Sequence, residues 1–190
     1  MKNLKFLFSV IFAAFFLHIN AHAQKSLMSE IHASTLKDVD SLENLLNKKG
    51  NNVSLKELFL LEYKWMYFYN EKFGSKLNNI YSRLKEEKKA NMLGVYHLLS
   101  GILLMRTADQ SKALQQFNLS LASFEKFKDT TGIILTYSSI TNMHLNYANA
   151  ATRDPNRALP YIEKALSLAQ KFKNKDLLLG AMNIQMVCYM

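Results

Sequence analysis

Two stretches of this chain share one skeleton, and it limits the possible folds more than any other feature. One runs Arg157-Ala158-Leu159-Pro160-Tyr161-Ile162-Glu163-Lys164-Ala165-Leu166-Ser167-Leu168-Ala169. The other is Ala113-Leu114-Gln115-Gln116-Phe117-Asn118-Leu119-Ser120-Leu121. In each, an alanine is followed four residues on by a bulky apolar residue. A small residue and a leucine come three and four after that. This is helical spacing with one apolar face. The small residues let a neighbouring helix approach closely, and the bulky residue fills the gap between them. The anchors Ala113 and Ala158 are 45 apart, and Lys171-Phe172-Lys173-Asn174 echoes Lys126-Phe127-Lys128-Asp129. The chain reads as all-α, built from repeated helix–turn–helix units.

The rest of the chain fits that frame. Leu27, Ile31, Leu36, Val39, Leu42, Leu45 and Leu46 recur at threes and fours, so residues 25–49 carry a helical pattern that Gly50-Asn51-Asn52 ends. Ser54 with Glu57 three residues on predicts a capping box, opening a helix from Leu55 to about Lys72. Its aromatics, Phe59, Tyr63, Trp65, Tyr67, Phe68 and Tyr69, are bulky on more than one face, which predicts packing on both sides. Phe73-Gly74-Ser75 breaks that helix, and another follows over 76–89. Further helices are expected from Met92 to Arg106, Ser111 to Phe127, Ile133 to Ala148, Pro155 to about Lys171 and Leu177 to Met190. Asp129 or Thr130 is the expected cap of the helix that runs from Ile133, and Pro155 suits a first helical turn because its missing amide has no helix partner there.

Residues 91–190 resemble the tetratricopeptide (TPR) repeat family. Ala113, Phe117, Leu121, Ala158, Ile162, Ala165 and Leu166 carry the resemblance, with Ser100-Gly101 standing where the family favours Leu-Gly. Gly101, Thr141 and Gln185 are 40 and 44 apart, against a usual period of about 34, so the likeness is to longer-helix variants. The family's first-helix aromatic is replaced by Leu104, His144 and Cys188. The resemblance implies a right-handed TPR-like α-solenoid whose first helices line a concave groove for a protein or peptide partner. Carried onto this register, the groove positions are Arg106, Ser138, Asn142 and Asn146, where Asn amides could hold a peptide backbone. Leu98, Ile102 and Met105 map to the same face, which makes the groove partly apolar or covered by a neighbouring helix. The units are 91–130, 131–175 and an incomplete 176–190, preceded by N-terminal helices over 24–90 that form a degenerate repeat or cap.

Residues 1–23 read as a secretory signal peptide. Lys2 and Lys5 are its basic start, Phe6 to Leu17 its apolar core, and Ala21-His22-Ala23 its cleavage site. Export to the periplasm or surface of a Gram-negative bacterium is the expectation. The net charge is +9, or +7 without the leader, but the lysines interleave with glutamates as in Lys85-Glu86-Glu87-Lys88-Lys89. That is a solvated helix face rather than a nucleic-acid surface. His32, His97 and His144 lack metal-ligand spacing, and no phosphate loop, Cys-x-x-Cys or nucleophile elbow is present. The single cysteine, Cys188, sits in an apolar run. The sequence therefore predicts no enzyme, no cofactor and no metal.

Between Leu177 and Met190 almost every residue is apolar. Each large side chain left wet there forgoes about 1.5–3 kcal/mol, against a domain stability of about 5–15 kcal/mol. A covering partner, self-association through this helix, or a chain that continues is the expectation. The last case matches a second functional reading, the sensory repeat region of a longer envelope signalling protein with a histidine-kinase or helix-turn-helix output.

Overall fold

A computed structural model of the chain describes residues 26–33, 39–68, 71–107, 109–145 and 153–190. The expected leader, Leu36, Tyr69 and Asn146 lie outside them. The described residues form α-helices and two short 3-10 turns, with no strand. The helices are α1 (Leu27–Ala33), α2 (Val39–Lys49), α3 (Leu55–Tyr67), α4 (Leu77–Glu86), α5 (Leu93–Arg106), α6 (Gln110–Lys126), α7 (Thr130–Leu145), α8 (Pro155–Lys171) and α9 (Lys175–Cys188). The stretch read as one pattern over 25–49 thus holds two separate helices. The helix expected to reach Lys72 ends at Tyr67, and turns occupy 71–76.

Local chemistry sets most of the boundaries. The Ser54 hydroxyl accepts the Glu57 N–H, and the Glu57 carboxylate accepts the Ser54 N–H at 2.8 Å, completing the capping box at the start of α3. Asp109 caps α6 by accepting the Lys112 N–H, and Asp154 caps α8 by accepting the Arg157 N–H. Asp129 caps α7 through Gly132 N–H at 2.9 Å, and Asn174 caps α9 through Leu177 N–H at 3.1 Å. Each member of these pairs stands 45 residues from its counterpart. The α4 start has no side-chain cap of its own. Glu62 of α3 supplies it, accepting the Gly74 and Lys76 N–H groups at 2.6 Å with its two oxygens.

The helix ends repeat as well. Lys88, Lys128 and Lys173 all adopt the left-handed conformation, with φ of 52°, 56° and 53°. After each, the next residue's N–H returns to a carbonyl five residues back: Lys89 to Leu84, Asp129 to Phe124, Asn174 to Ala169. This is a Schellman-type ending, in which two late carbonyls find donors. It closes α4, α6 and α8 alike, so the α3–α4 pair ends as the two later pairs do. Asp129 and Asn174 then cap the next helix, whereas Lys89 cannot, and a 3-10 turn over Ala90–Met92 intervenes before α5.

Neighbours in the chain are neighbours in space. α5 packs chiefly on α6, α6 on α7, α7 on α8, and α8 on α9, while α3 touches α4 and α5. Of the second-helix anchors, Ala113, Phe117, Ala158, Ile162, Ala165 and Leu166 are buried, whereas Leu121 is half-buried and the Ser120 beside it is buried. The Phe117 ring lies against Gly101, where an added Cβ would stand 2.6 Å from it. Phe124 is held between two glycines, Gly94 of α5 and Gly132 of α7, with corresponding gaps of 2.7 and 2.5 Å. Beside it the Ser120 hydroxyl donates to Gly94 O and the Thr136 hydroxyl to Gly132 O, so both buried hydroxyls are satisfied. One apolar core runs from Met28 to Met143, and a second joins α7, α8 and α9. Phe59, Tyr63 and Trp65 are core residues, but Tyr67 and Phe68 are exposed at the end of α3.

Candidate functional site

The residues expected in a groove fall in different settings. Ser138 and Asn142 stand one turn apart on α7, both half-buried. Arg106 is engaged elsewhere: its Nη2 donates to Met66 O at 2.7 Å, and its guanidinium lies 4.8 Å from the Phe73 ring centre. It ties the end of α5 to the end of α3. Asn146 is outside the described residues. Leu98 and Ile102 are buried and Met105 is half-buried.

What lies against the first helices of the pairs is α1. It packs on α3 and α7, the first helices of two different pairs. Met28 and Ile31, three residues apart and so on one side of the helix, are 0 % and 1 % exposed. The Met28 N–H donates to Asp129 Oδ2 at 3.2 Å, across 101 residues of sequence. The other Asp129 oxygen caps α7, so one carboxylate serves the starts of two helices. Ser26 adds its own hydroxyl as acceptor for the Ser29 N–H at 3.1 Å. A start with several orphan N–H groups and a partial positive charge suits a carboxylate.

The far end of α1 meets Tyr63 of α3. The Tyr63 hydroxyl and His32 Nδ1 are 2.9 Å apart, with the rings edge to face at 6.2 Å. Burial pushes the Tyr63 hydroxyl well above its usual pKa, so it stays protonated and donates. Burial lowers His32, opposed by the charge of Asp176 at the start of α9, and the neutral ring is the acceptor this geometry needs. Glu30 of α1 pairs with Lys56 of α3 at the exposed rim. Burying Met28 and Ile31 contributes about 1.5–3 kcal/mol each. The entropy of ordering seven residues offsets that gain, so α1 is held by the seat and not by its own helical propensity.

Sequence reading missed this seat. Ile31 belongs to the periodic set, but the buried partner is Met28 rather than Leu27, which is half-buried. The i, i+3 spacing of Met28 and Ile31 was a local signal for a buried face. Nothing local pointed to Asp129 or Tyr63 as the residues they would meet.

The remaining chemistry is spread out. His97 Nδ1 meets Gln116 Oε1 at 2.8 Å, and His144 stacks on Tyr161 with centroids 5.7 Å apart. Among the described residues no group of three or more His, Cys, Asp and Glu could hold a metal ion. An open groove of about 680 Å³ lies between α6 and α8 over α7, lined by Glu125, Ile133, Tyr137, Pro160 and Lys164 among others. The Lys164 ammonium stands over the Tyr137 and Tyr161 rings there, at 5.6 and 5.9 Å. Ser138 and Asn142 do not line it. On α9, Leu177, Ala181 and Cys188 are buried, whereas Leu179, Met182 and Met186, with Tyr189 just past its end, are exposed. Ile134, five residues after its cap as Leu179 is after its own, is buried in the core shared with α8 and α9.

Among the described residues no helix is long and apolar enough to cross a membrane. Compared with models of known protein families, with curated proteins and with solved structures, the chain matches none.

Proposed function

We propose that the chain is a non-catalytic protein-interaction module, a right-handed TPR-like α-solenoid exported to the bacterial envelope, which holds a partner segment against the first helices of its pairs. The observation that carries this reading is the repeat itself. Three helix pairs end at a left-handed lysine, at 40- and 45-residue spacing, and a short helix already lies against the first helices α3 and α7. A layer of first helices that accommodates one short helix is the geometry of helix-in-groove recognition. Ser138 and Asn142 supply polar groups on α7 for a partner's backbone.

The test is a photoreactive residue placed at Asn142, with a second chain carrying it at the exposed Ser167 of α8. The expected result is a partner adduct from position 142 alone, removed by Ser138→Arg. Adducts of equal yield from both positions, or none from 142, contradict the proposal. N-terminal sequencing of the exported chain is expected to begin at Gln24.

The exposed side of α9 favours a second reading. Leu179, Met182, Met186 and Tyr189 present an exposed apolar surface, and Leu179 stands where α7 buries Ile134. A further helical surface covers it, from a second copy or from the continuation expected of the sensory region of an envelope signalling protein. Light scattering on residues 24–190 separates the cases. Association that Leu179→Glu with Met186→Glu abolishes supports a covered face, and a monomer with a cooperative melt removes it.

A further inference from the structure

We infer that the seat between α3 and α7 is a docking site for short helical segments of a partner, and that Leu27–Ala33 is its resident occupant, displaced when such a segment competes. The inference rests on the reading of the first helices as a binding face and names the ligand for it. α1 has seven residues, well below the roughly 12–15 that an isolated helix needs. Its order therefore comes from the seat. Several groups of the seat have partners other than α1. Asp129 keeps its bond to Gly132 N–H, and Tyr63 and Lys56 belong to α3, which has its own capping box.

The contacts are those of recognition. A host carboxylate receives a backbone N–H from the start of the guest helix. Two apolar side chains one turn apart, Met28 and Ile31, are fully buried. A hydroxyl from the host, Tyr63, meets an acceptor at the guest's end. At the rim a host lysine faces a guest glutamate. The ligand class follows: a short helix with apolar residues at i and i+3, an acid at i+2 and a hydrogen-bond acceptor at i+4.

The test titrates a fluorescein-labelled peptide with the sequence of residues 26–33 into the full chain and into the full chain carrying Met28→Asp and Ile31→Asp, whose own α1 cannot occupy the seat. The altered chain is expected to bind the peptide about tenfold or more tighter, because no internal competitor remains. Adding Lys56→Glu weakens that binding about threefold, and a peptide with Glu30→Lys restores it. Equal affinity for the two chains overturns the inference. So does indifference to the charge swap, or the absence of saturable binding into the millimolar range. Should the doubly altered chain lose its helical circular dichroism, Lys56→Glu in the otherwise unchanged chain decides. It must bind the Glu30→Lys peptide more tightly than the unaltered chain does, and failure to do so counts against the inference. A partner cross-linked from Asn142 with no peptide binding sinks the α1 inference alone, whereas peptide binding with no partner adduct sinks the wider functional reading.

Discussion

At the scale of single residues, this chain places side chains where only a narrow choice fits. Lys88, Lys128 and Lys173 hold a left-handed conformation that costs an L residue about 1 kcal/mol and glycine almost nothing. Lys128→Gly is therefore expected to raise unfolding stability by about 0.5–1 kcal/mol in urea titrations. A loss of stability would show that the lysine side chain contributes more than its backbone costs. Gly132 is the opposite case. A methyl there stands 2.5 Å from the Phe124 ring, itself pressed on Gly94 from the other side. Gly132→Ala is expected to cost about 1–3 kcal/mol, and markedly less in a chain that also carries Phe124→Leu. Equal costs in the two backgrounds would mean that the ring moves aside freely.

At the scale of elements, the starts of α3, α7 and α8 are set by chemistry within four residues, and those were legible. Ser54 with Glu57, Asp129 and Asp154 before Pro155 all read correctly as starts, because a cap and its N–H partners are close in sequence. The pairing of α3 with α4 through Glu62 was not legible. A glutamate in an aromatic helix gives no local sign that it will serve two amides across a turn. The division of 25–49 into α1 and α2 was likewise hidden, since both pieces share one periodicity and α1 finds its partners far along the chain. Ser138 and Asn142 could be placed by register, but Arg106 was drawn to Met66 O and the Phe73 ring by the end of α3. The capping box also sets a pH dependence. Lys49, then the Ser54 N–H and hydroxyl, hold the Glu57 carboxyl down to about 2 from its usual 4.5. The folded state thus releases this proton more readily than the unfolded chain. The stabilisation is full above about pH 4.5 and is lost as the pH falls toward about 2. Glu57→Gln is expected to lower stability at neutral pH and to converge with the unaltered chain in acid. A difference that stays constant with pH would contradict the assignment. Ser54→Ala removes the other half of the box and should cost about 1 kcal/mol.

At the scale of the whole molecule, helix pairs from α3 onward form the frame, and α1 is an addition to it. The two later pairs are fixed by repeated caps and buried small residues that bring helices close, and the α3–α4 pair by Glu62 across its turn. α1 touches the frame through the buried Met28 and Ile31, the half-buried Leu27, the Met28 N–H bond to Asp129, the hydrogen bond and ring contact of His32 with Tyr63, and the Glu30–Lys56 ion pair, among other contacts. Few contacts and short length place it at the low end of local stability. The central claim is that α1 is seated on the first helices and leaves them independently. Amide hydrogen exchange on the full chain tests this most directly. The amides of residues 28–33 are expected to exchange about a hundredfold faster than those of α5 to α8, yet slower than an unstructured peptide, with no dependence on global unfolding. Exchange of α1 in step with α7, or at the rate of an unstructured peptide, would contradict the account.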